Sequence, residues 1–194
     1  YWGFEPTAQF LAENNFNVIQ MNIRGSSGYG YEFGAEVFGN FEEVLEDIYD
    51  GIEFFDAEGL IDKNNLCIYG ISYGGYAATM APINRPDLFK CAASDAGLYD
   101  MEAQYKRGDI RRSRGGKVFL DRAFKGKDGK LDPSQSPINR VSEMRVPFFL
   151  LHGKKDIRTP YKDAELFMQE MDRNNISYEK MIITKEEHGF SNEE

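Results

Sequence analysis

Histidine, cysteine and tryptophan are scarce in this chain of 194 residues. It contains two histidines, two cysteines and one tryptophan. Two cysteines are too few for a disulfide scaffold. No run of residues approaches the roughly 18 apolar residues of a membrane-spanning helix. The sequence therefore argues against a small disulfide-held protein and against a membrane partner.

Basic charge is also in deficit, because 23 Lys and Arg face 32 Asp and Glu, a net charge of −9. A protein that follows nucleic-acid phosphates usually presents a basic face. The one local exception is interpreted as a solvated loop, and we expect no nucleic-acid partner. That loop contains Arg111, Arg112, Arg114 and Lys117.

Patterns typical of cofactor binding are missing as well. Gly25, Gly28 and Gly30 follow the spacing G-x-x-G-x-G, which differs from the dinucleotide-binding pattern, and no P-loop lysine follows. The acidic clusters lack metal-ligand spacing with histidine or cysteine. We therefore expect neither a cofactor nor a metal.

The two cysteines bear on the compartment. Cys67 lies in an apolar run at 66–69, which predicts a free thiol inside a buried strand. Two reduced cysteines are typical of a reducing compartment. The first residue is Tyr1, with no basic and apolar leader after it. We expect a soluble protein and favour the cytoplasm, while the compartment stays open.

Apolar segments alternate with amphipathic ones along the chain. This alternation predicts an α/β fold, a mostly parallel sheet with helices on both faces, formed by residues 1–194 as one domain. The predicted strands are 17–22, 65–69, 92–94, 146–151 and 178–183, and the predicted helices are 4–14, 41–55, 73–84 and 161–174.

Residues 104–140 interrupt this rhythm, because Lys, Arg, Gly, Asp and Ser dominate there. The segment is interpreted as an irregular insertion with one short helix at 118–124. Such an insertion either forms a cap over a site or is a tolerated surface loop.

The chemistry is indicated by the sequence GISYGG at 70–75. It matches the G-x-S-x-G turn, in which a serine lies between a strand and a helix. Here an apolar strand precedes the turn and a helical pattern follows it. Ser72 is the candidate nucleophile, and the backbone N–H of Tyr73 is the candidate oxyanion donor.

A serine nucleophile needs a histidine base, which in turn needs a carboxylate. The favoured set is Ser72, Asp156 and His188, whose members follow separate predicted strands. The alternative set combines Ser72 with His152 and either Asp95 or Asp100. His152 is interpreted instead as a structural histidine that braces the loop of Asp156.

Five segments, taken in order, resemble the catalytic domain of the prolyl oligopeptidase family of serine peptidases, in its dipeptidyl-peptidase and acylaminoacyl-peptidase branches. The resemblance extends from residue 22 to residue 190, which is nearly the whole chain. The segments are NIRGSSGYG at 22–30, GISYGGY at 70–76, SPIN at 136–139, HGKKDIRTP at 152–160 and EHG at 187–189.

The resemblance implies an α/β-hydrolase fold and a peptidase that cleaves short peptides. It carries over Ser72, Asp156 and His188 as the triad and Tyr73 as one oxyanion donor. It also implies that Tyr99 forms a wall of the specificity pocket, with ordinary packing as the alternative interpretation. A peptide substrate and a propeller domain outside these residues are the implied partners, and a homo-oligomer is left open.

Two other functions are open at this point. The same triad could serve a carboxylic-ester hydrolase, and a fragment that keeps the serine turn could act as a non-catalytic interaction module. The presence of every triad residue type argues against a decayed site.

The chain also departs from the family pattern. Family members carry a strand before the first helix that supplies the central strand of the sheet and the second oxyanion donor, and they continue past the histidine into a closing helix. We therefore expect part of a longer protein, without the N-terminal strands. Segments 17–22 and 65–69 are expected to flank an empty slot, about twice the usual 4.8 Å apart.

Overall fold

The computed structural model of the chain describes residues 3–35, 41–126 and 128–189. Helices and strands alternate, as expected for an α/β fold. In chain order they are α1 (Pro6–Glu13), α2 (Tyr31–Ala35), α3 (Val44–Ala57), β1 (Cys67–Ile71), α4 (Tyr73–Asn84), β2 (Cys91–Asp95), α5 (Met101–Lys106), α6 (Arg114–Phe124), β3 (Phe148–Gly153), α7 (Tyr161–Arg173) and β4 (Tyr178–Ile183).

The four strands form one parallel sheet in the order β1-β2-β3-β4. Short apolar strands joined through helices favour this arrangement, because each parallel connection has to cross over a face of the sheet. All four carboxyl ends lie at the same edge of the sheet. The loops that follow β1, β2, β3 and β4 therefore meet there, where α/β proteins place their ligands.

One face of the sheet, which we call the packed face, is covered by α4 and α7. Its side chains are almost fully buried: Ala92 is 3% exposed, Phe148 3% and Leu150 0%. The Phe148 ring lies 6.0 Å from that of Phe167 on α7. The hydrophobic core of the chain is on this side of the sheet.

The other face, which we call the open face, is much less covered by the described residues. Tyr69 and Ile71 of β1 are 38% and 43% exposed, and Met181 of β4 is 49% exposed. Helix α1, which has no buried residue, and segment 16–20 border a cavity of about 840 Å³ against this face.

The prediction of a strand at 17–22 is wrong, since these residues belong to no strand of the structure. Within the described part of the chain, β1 is an edge strand, with β2 as its neighbour. Segment 16–20 instead lies beside the open face. The apolar pattern of these residues could not show whether a partner strand was within reach.

The expected empty slot beside β1 is consistent with this topology in one respect, because segment 17–22 does not pair with β1. The segment after it is held by Arg24, whose guanidinium forms three hydrogen bonds with the carboxylate of Asp47 on α3, at 2.6, 3.0 and 3.1 Å. This ion pair connects the N-terminal segment to the packed side of the molecule.

The cysteines differ from the prediction of a free buried thiol. Cys67 and Cys91 are register partners on β1 and β2, with Cα atoms 4.7 Å apart, and they form a disulfide. Cys67 shares the open face with Tyr69 and Ile71, so it is exposed. The argument for a reducing compartment, which depended on reduced cysteines, loses its basis.

Segment 104–140 is more ordered than predicted, because α6 begins at Arg114 and runs to Phe124, four residues longer than expected. Ser113 caps it by accepting a hydrogen bond from the N–H of Gly116 at 2.9 Å. Short 3-10 turns at Ile110–Arg112, Pro133–Gln135 and Pro137–Glu143 lie in or overlap the described part of this segment. The apolar periodicity of the sequence does not predict these turns, because local hydrogen bonds hold them.

Within residues 3–35, 41–126 and 128–189, no helix has the length and apolar character of a membrane span.

Candidate active site

Ser72 lies in the turn between β1 and α4 with a positive φ of 59°. A non-glycine residue rarely adopts this conformation, which costs free energy that the surrounding structure has to offset. Two hydrogen bonds hold the turn: Ser72 N–H donates to the carbonyl of Asp95 at 2.9 Å, and Tyr76 N–H donates to the carbonyl of Ser72 at 3.1 Å. The side chain of Ser72 therefore projects from a fixed position.

Gly70 and Gly74, the two glycines of the turn motif, have different structural roles. A Cβ on Gly70 would lie 2.7 Å from the Cα of Gly74 and closer still to its carbonyl group. A Cβ on Gly74 would meet no atom within 4 Å. Of these two glycines, only Gly70 is therefore required for the close approach of β1 and α4.

His188 connects the serine to a carboxylate. Its Nε2 lies 2.9 Å from Ser72 Oγ, and its Nδ1 lies 2.8 Å from Asp156 Oδ2. A carboxylate accepts, so Nδ1 carries the proton and Nε2 is left to accept the hydroxyl proton of Ser72. The loops after β1, β3 and β4 thus bring together the three predicted residues at one edge of the sheet.

Asp156 is 4% exposed, and both of its carboxylate oxygens are hydrogen-bonded. Oδ1 accepts from the backbone N–H groups of Arg158 and Thr159 at 2.8 and 2.9 Å. Burial alone would raise the pKa of Asp156, but the hydrogen bonds from His188 and Thr159 and the charge of His188 outweigh it, so the pKa is lowered. Asp156 is therefore ionised at neutral pH.

His152 is fully buried beside this loop. Its Nε2 lies 2.8 Å from the carbonyl oxygen of Thr159, which can only accept, so Nε2 carries the proton. Burial lowers the pKa of His152 and keeps the ring neutral. The hydrogen bond connects β3 to the acid loop.

The alternative triad is not assembled, because its carboxylates have other partners. Asp100 caps α5 by accepting from the N–H of Ala103 at 3.1 Å. Asp95 Oδ2 lies 3.5 Å from the hydroxyl of Tyr69. His152 itself is bonded to the backbone of Thr159.

Asp95 has an unusual environment all the same. It is 2% exposed, and its Oδ1 is buried with no hydrogen-bond partner among the described residues. Burial, together with the negative charge of Asp156, raises the pKa of Asp95 to about 6, although Tyr69 and His188 act in the opposite direction.

Tyr73 and Tyr99 occupy different surroundings. Tyr73 is the first residue of α4, and its hydroxyl donates to the carbonyl of Phe41 at 3.1 Å. Tyr99 is 0% exposed, stacks on Phe167 at 4.4 Å and shares a 2.8 Å hydrogen bond with the hydroxyl of Ser94. This burial favours the packing interpretation of Tyr99 over a pocket wall.

Thr159 is the site residue that sequence reasoning missed. Its hydroxyl lies 2.9 Å from Asp156 Oδ2, 2.9 Å from the carbonyl oxygen of Ala96 and 3.3 Å from His188 Nδ1. The available signal was the spacing Asp-x-x-Thr, in which a carboxylate and a hydroxyl three residues apart meet across a tight turn.

The sequence profile of the prolyl oligopeptidase family matches residues 2–194. The chain belongs to the prolyl oligopeptidase family. It is 25% identical over its whole length to a dipeptidyl aminopeptidase BIII of Pseudoxanthomonas mexicana, of which it covers 29%. It is 23% identical over 96% of its length to the acylamino-acid-releasing enzyme 1 of Oryza sativa subsp. japonica, of which it covers 25%.

Solved structures agree with this membership. The acylaminoacyl peptidase of Pyrococcus horikoshii superposes with a TM-score of 0.75 at 29% identity, over 87% of this chain and 27% of that one. A puromycin-hydrolyzing peptidase of Mycobacterium tuberculosis gives a TM-score of 0.78 at 25% identity, over 87% and 25%. The chain therefore has the α/β-hydrolase fold and spans about a quarter of the length of these relatives.

Proposed function

We propose that residues 1–194 form part of the catalytic domain of a serine peptidase that cleaves short peptides, as its dipeptidyl- and acylaminoacyl-peptidase relatives are named to do. The observation that carries the proposal is the line of hydrogen bonds from Ser72 Oγ through His188 to Asp156 Oδ2, at 2.9 and 2.8 Å. This geometry supports the proposed roles of Ser72 as the nucleophile, His188 as its base and Asp156 as the orienting acid.

In the proposed reaction, His188 Nε2 removes the hydroxyl proton of Ser72 while Oγ attacks the carbonyl carbon of the scissile bond. The buried negative charge of Asp156 stabilises the imidazolium that forms. The imidazolium then protonates the leaving amine, which leaves an acyl-enzyme on Ser72. Water, deprotonated by His188, hydrolyses the acyl-enzyme and restores the serine.

The oxyanion formed by this attack needs nearby donors. Tyr73 N–H is the proposed donor, because Tyr73 opens α4, where backbone N–H groups point out of the helix and the helix dipole favours negative charge. An N-terminal propeller, a second oxyanion donor outside these residues and a homo-oligomer remain predictions of the family resemblance.

The proposal is tested on the intact protein with a fluorophosphonate probe, which labels activated serines. We expect labelling of the wild type and none of Ser72→Ala, with turnover lowered at least about 10⁴-fold in the variant. The melting temperature should be unchanged, since the Ser72 side chain is not part of the core. Near-wild-type turnover in Ser72→Ala contradicts the assignment.

Substrate class is tested separately. A panel of aminoacyl- and dipeptidyl-nitroanilides is compared with nitrophenyl esters of simple carboxylic acids. A peptidase cleaves the amides with a strong dependence on the side chain, whereas an ester hydrolase cleaves only the esters. Absence of both activities and of probe labelling would favour a non-catalytic module.

A further inference from the structure

The hydroxyl of Thr159 lies where three loops of the site meet. It comes within 2.9 Å of Asp156 Oδ2, within 3.3 Å of His188 Nδ1 and within 2.9 Å of the carbonyl of Ala96. Thr159 is 6% exposed, so water does not compete freely for these contacts. A single side-chain group thus touches the loops after β2, β3 and β4.

The same strand end also holds the nucleophile. Ala96 follows Asp95, whose carbonyl accepts the N–H of Ser72 at 2.9 Å. Ala96 has a positive φ of 45°, an uncommon conformation for alanine, and its carbonyl is turned toward Thr159. Residues 95 and 96 therefore bind the Ser72 turn on one side and the acid loop on the other.

The backbone N–H and carbonyl groups of Thr159 also form hydrogen bonds at this site. Its N–H donates to Asp156 Oδ1 at 2.9 Å, and its carbonyl accepts from His152 Nε2 at 2.8 Å. The main chain at this position is therefore fixed by contacts that a substitution of the Thr159 side chain does not remove. The hydroxyl can consequently be deleted without deleting the loop's backbone hydrogen bonds.

A hydroxyl has one proton to donate and two lone pairs. When the Thr159 hydroxyl donates to Asp156 Oδ2, it adds a hydrogen bond to the carboxylate. When it donates to the carbonyl of Ala96, its oxygen faces the Nδ1–H of His188. In both arrangements it restricts the position of the His188 and Asp156 pair relative to β2.

We propose that Thr159 is a positioning residue of this site, whose hydroxyl aligns Asp156 and His188 with the strand end that holds Ser72. The inference rests on the proposed function for its effect on turnover. The alignment itself concerns only the His188 and Asp156 pair and can be measured without a substrate.

The test compares Thr159→Val, which removes the hydroxyl and keeps the shape, with Thr159→Ser, which keeps the hydroxyl. Turnover is expressed per serine titrated with the fluorophosphonate probe. We expect kcat to fall about tenfold in Thr159→Val with KM little changed, because one hydrogen bond of about 1.4 kcal/mol corresponds to that factor. Thr159→Ser should stay within about threefold of the wild type.

Thr79→Val is the matched control. Thr79 is a fully buried threonine of α4 whose hydroxyl donates to a backbone carbonyl, that of Gly75, at 2.7 Å. The carbonyl keeps a second partner in the hydroxyl of Ser94 at 3.0 Å. We expect the control to lower the melting temperature as much as Thr159→Val does, while turnover per titrated serine is unchanged.

A second measurement does not depend on catalysis. The Nδ1 proton of His188 gives an NMR resonance that reports its hydrogen bond to Asp156, and it is assigned by its loss in His188→Gln. The resonance should move in Thr159→Val and return in Thr159→Ser. An unmoved resonance overturns the inference, and so does unchanged turnover per titrated serine. If the wild type lacks hydrolytic activity but the resonance moves, the proposed function fails and the alignment by Thr159 stands.

Discussion

The two faces of the sheet differ sharply in how completely the described residues cover them. On the packed face, Leu150 is 0% exposed, whereas on the open face Ile71 is 43% exposed. Yet the edge of the sheet shared by both faces carries the closely hydrogen-bonded group of Ser72, His188 and Asp156. These three side chains therefore project from loops at the strand ends, at the border between the packed face and the open face.

The disulfide between Cys67 and Cys91 lies on the open face of the sheet. It joins β1 to β2, the two strands whose ends hold Ser72 and Asp95. A cross-link there adds restraint on the face where few side chains pack. On the packed face, the side-chain contacts of the hydrophobic core hold the strands in place instead.

The largest expected effect comes from Gly70, on the packed side of β1. Gly70→Ala should lower the free energy of unfolding by about 4 kcal/mol, more than the usual 1–3 kcal/mol of overpacking, because the new Cβ meets backbone atoms of Gly74. Chemical denaturation followed by circular dichroism measures this loss. Labelling of Ser72 by the fluorophosphonate probe should be lost as well.

Gly74→Ala is the control for Gly70→Ala, because its Cβ would meet no atom within 4 Å. Alanine is the better helix former, so we expect a gain of up to about 1 kcal/mol in the free energy of unfolding. Equal losses in the two variants would contradict the distinction between the two glycines.

The second prediction compares two neighbouring leucines on opposite faces of β3. Leu150→Ala should lower the free energy of unfolding by about 3 kcal/mol, because it leaves a cavity among fully buried side chains. Leu151→Ala, on the half-buried open face, should cost about 1 kcal/mol. Urea unfolding of the intact protein measures both, and equal costs would show that the open face is covered there as well.

Much of the fold could be predicted from the sequence because its signals are local. Helix α4 begins and ends at the predicted residues, and β4 matches the predicted strand. The proximity of Ser72, Asp156 and His188 could also be predicted, because each residue follows a strand and parallel strands end at the same edge of the sheet. Each of these conclusions needs only periodicity and order along the chain.

The features that the sequence did not predict depend on neighbours that are distant in the chain. The disulfide depends on the register that pairs Cys67 with Cys91, and register is not visible in either strand alone. Segment 17–22 has the composition of a strand but no partner within the described residues. The hydroxyl of Thr159 becomes informative only when the carbonyl of Ala96 lies beside it.

The third prediction concerns Asp95, at the site end of β2. Its pKa of about 6 exceeds that of an aspartate in the unfolded chain, so the folded state binds more protons between about pH 4 and pH 6. The stabilisation by protonated Asp95 is therefore present below about pH 4 and is lost as the pH rises through 6. Asp95→Asn removes this dependence, because its amide does not titrate.

Urea unfolding at pH 4 and pH 7 measures the effect. The free energy of unfolding of the wild type, taken relative to Asp95→Asn, should fall by about 2 kcal/mol between the two values. Asp87→Asn is the control for net charge, since Asp87 is an exposed aspartate in the loop between α4 and β2. A difference that is independent of pH would mean that the pKa of Asp95 is the same in the folded and unfolded states.

The smallest expected effect is that of Tyr69→Phe, which removes the hydroxyl 3.5 Å from Asp95 Oδ2 at the border of the open face. The hydrogen bond is long and Tyr69 is 38% exposed, so we expect a loss of about 0.5 kcal/mol in the free energy of unfolding at pH 7. Because this hydroxyl lowers the pKa of Asp95, its removal should move the pH dependence assigned to Asp95 toward higher pH. In the Asp95→Asn background the movement should disappear, since the two residues form one interacting pair. A Tyr69→Phe effect of the same size and pH dependence in both backgrounds would separate Tyr69 from Asp95 and attribute the effect to another partner of the hydroxyl, such as Thr7.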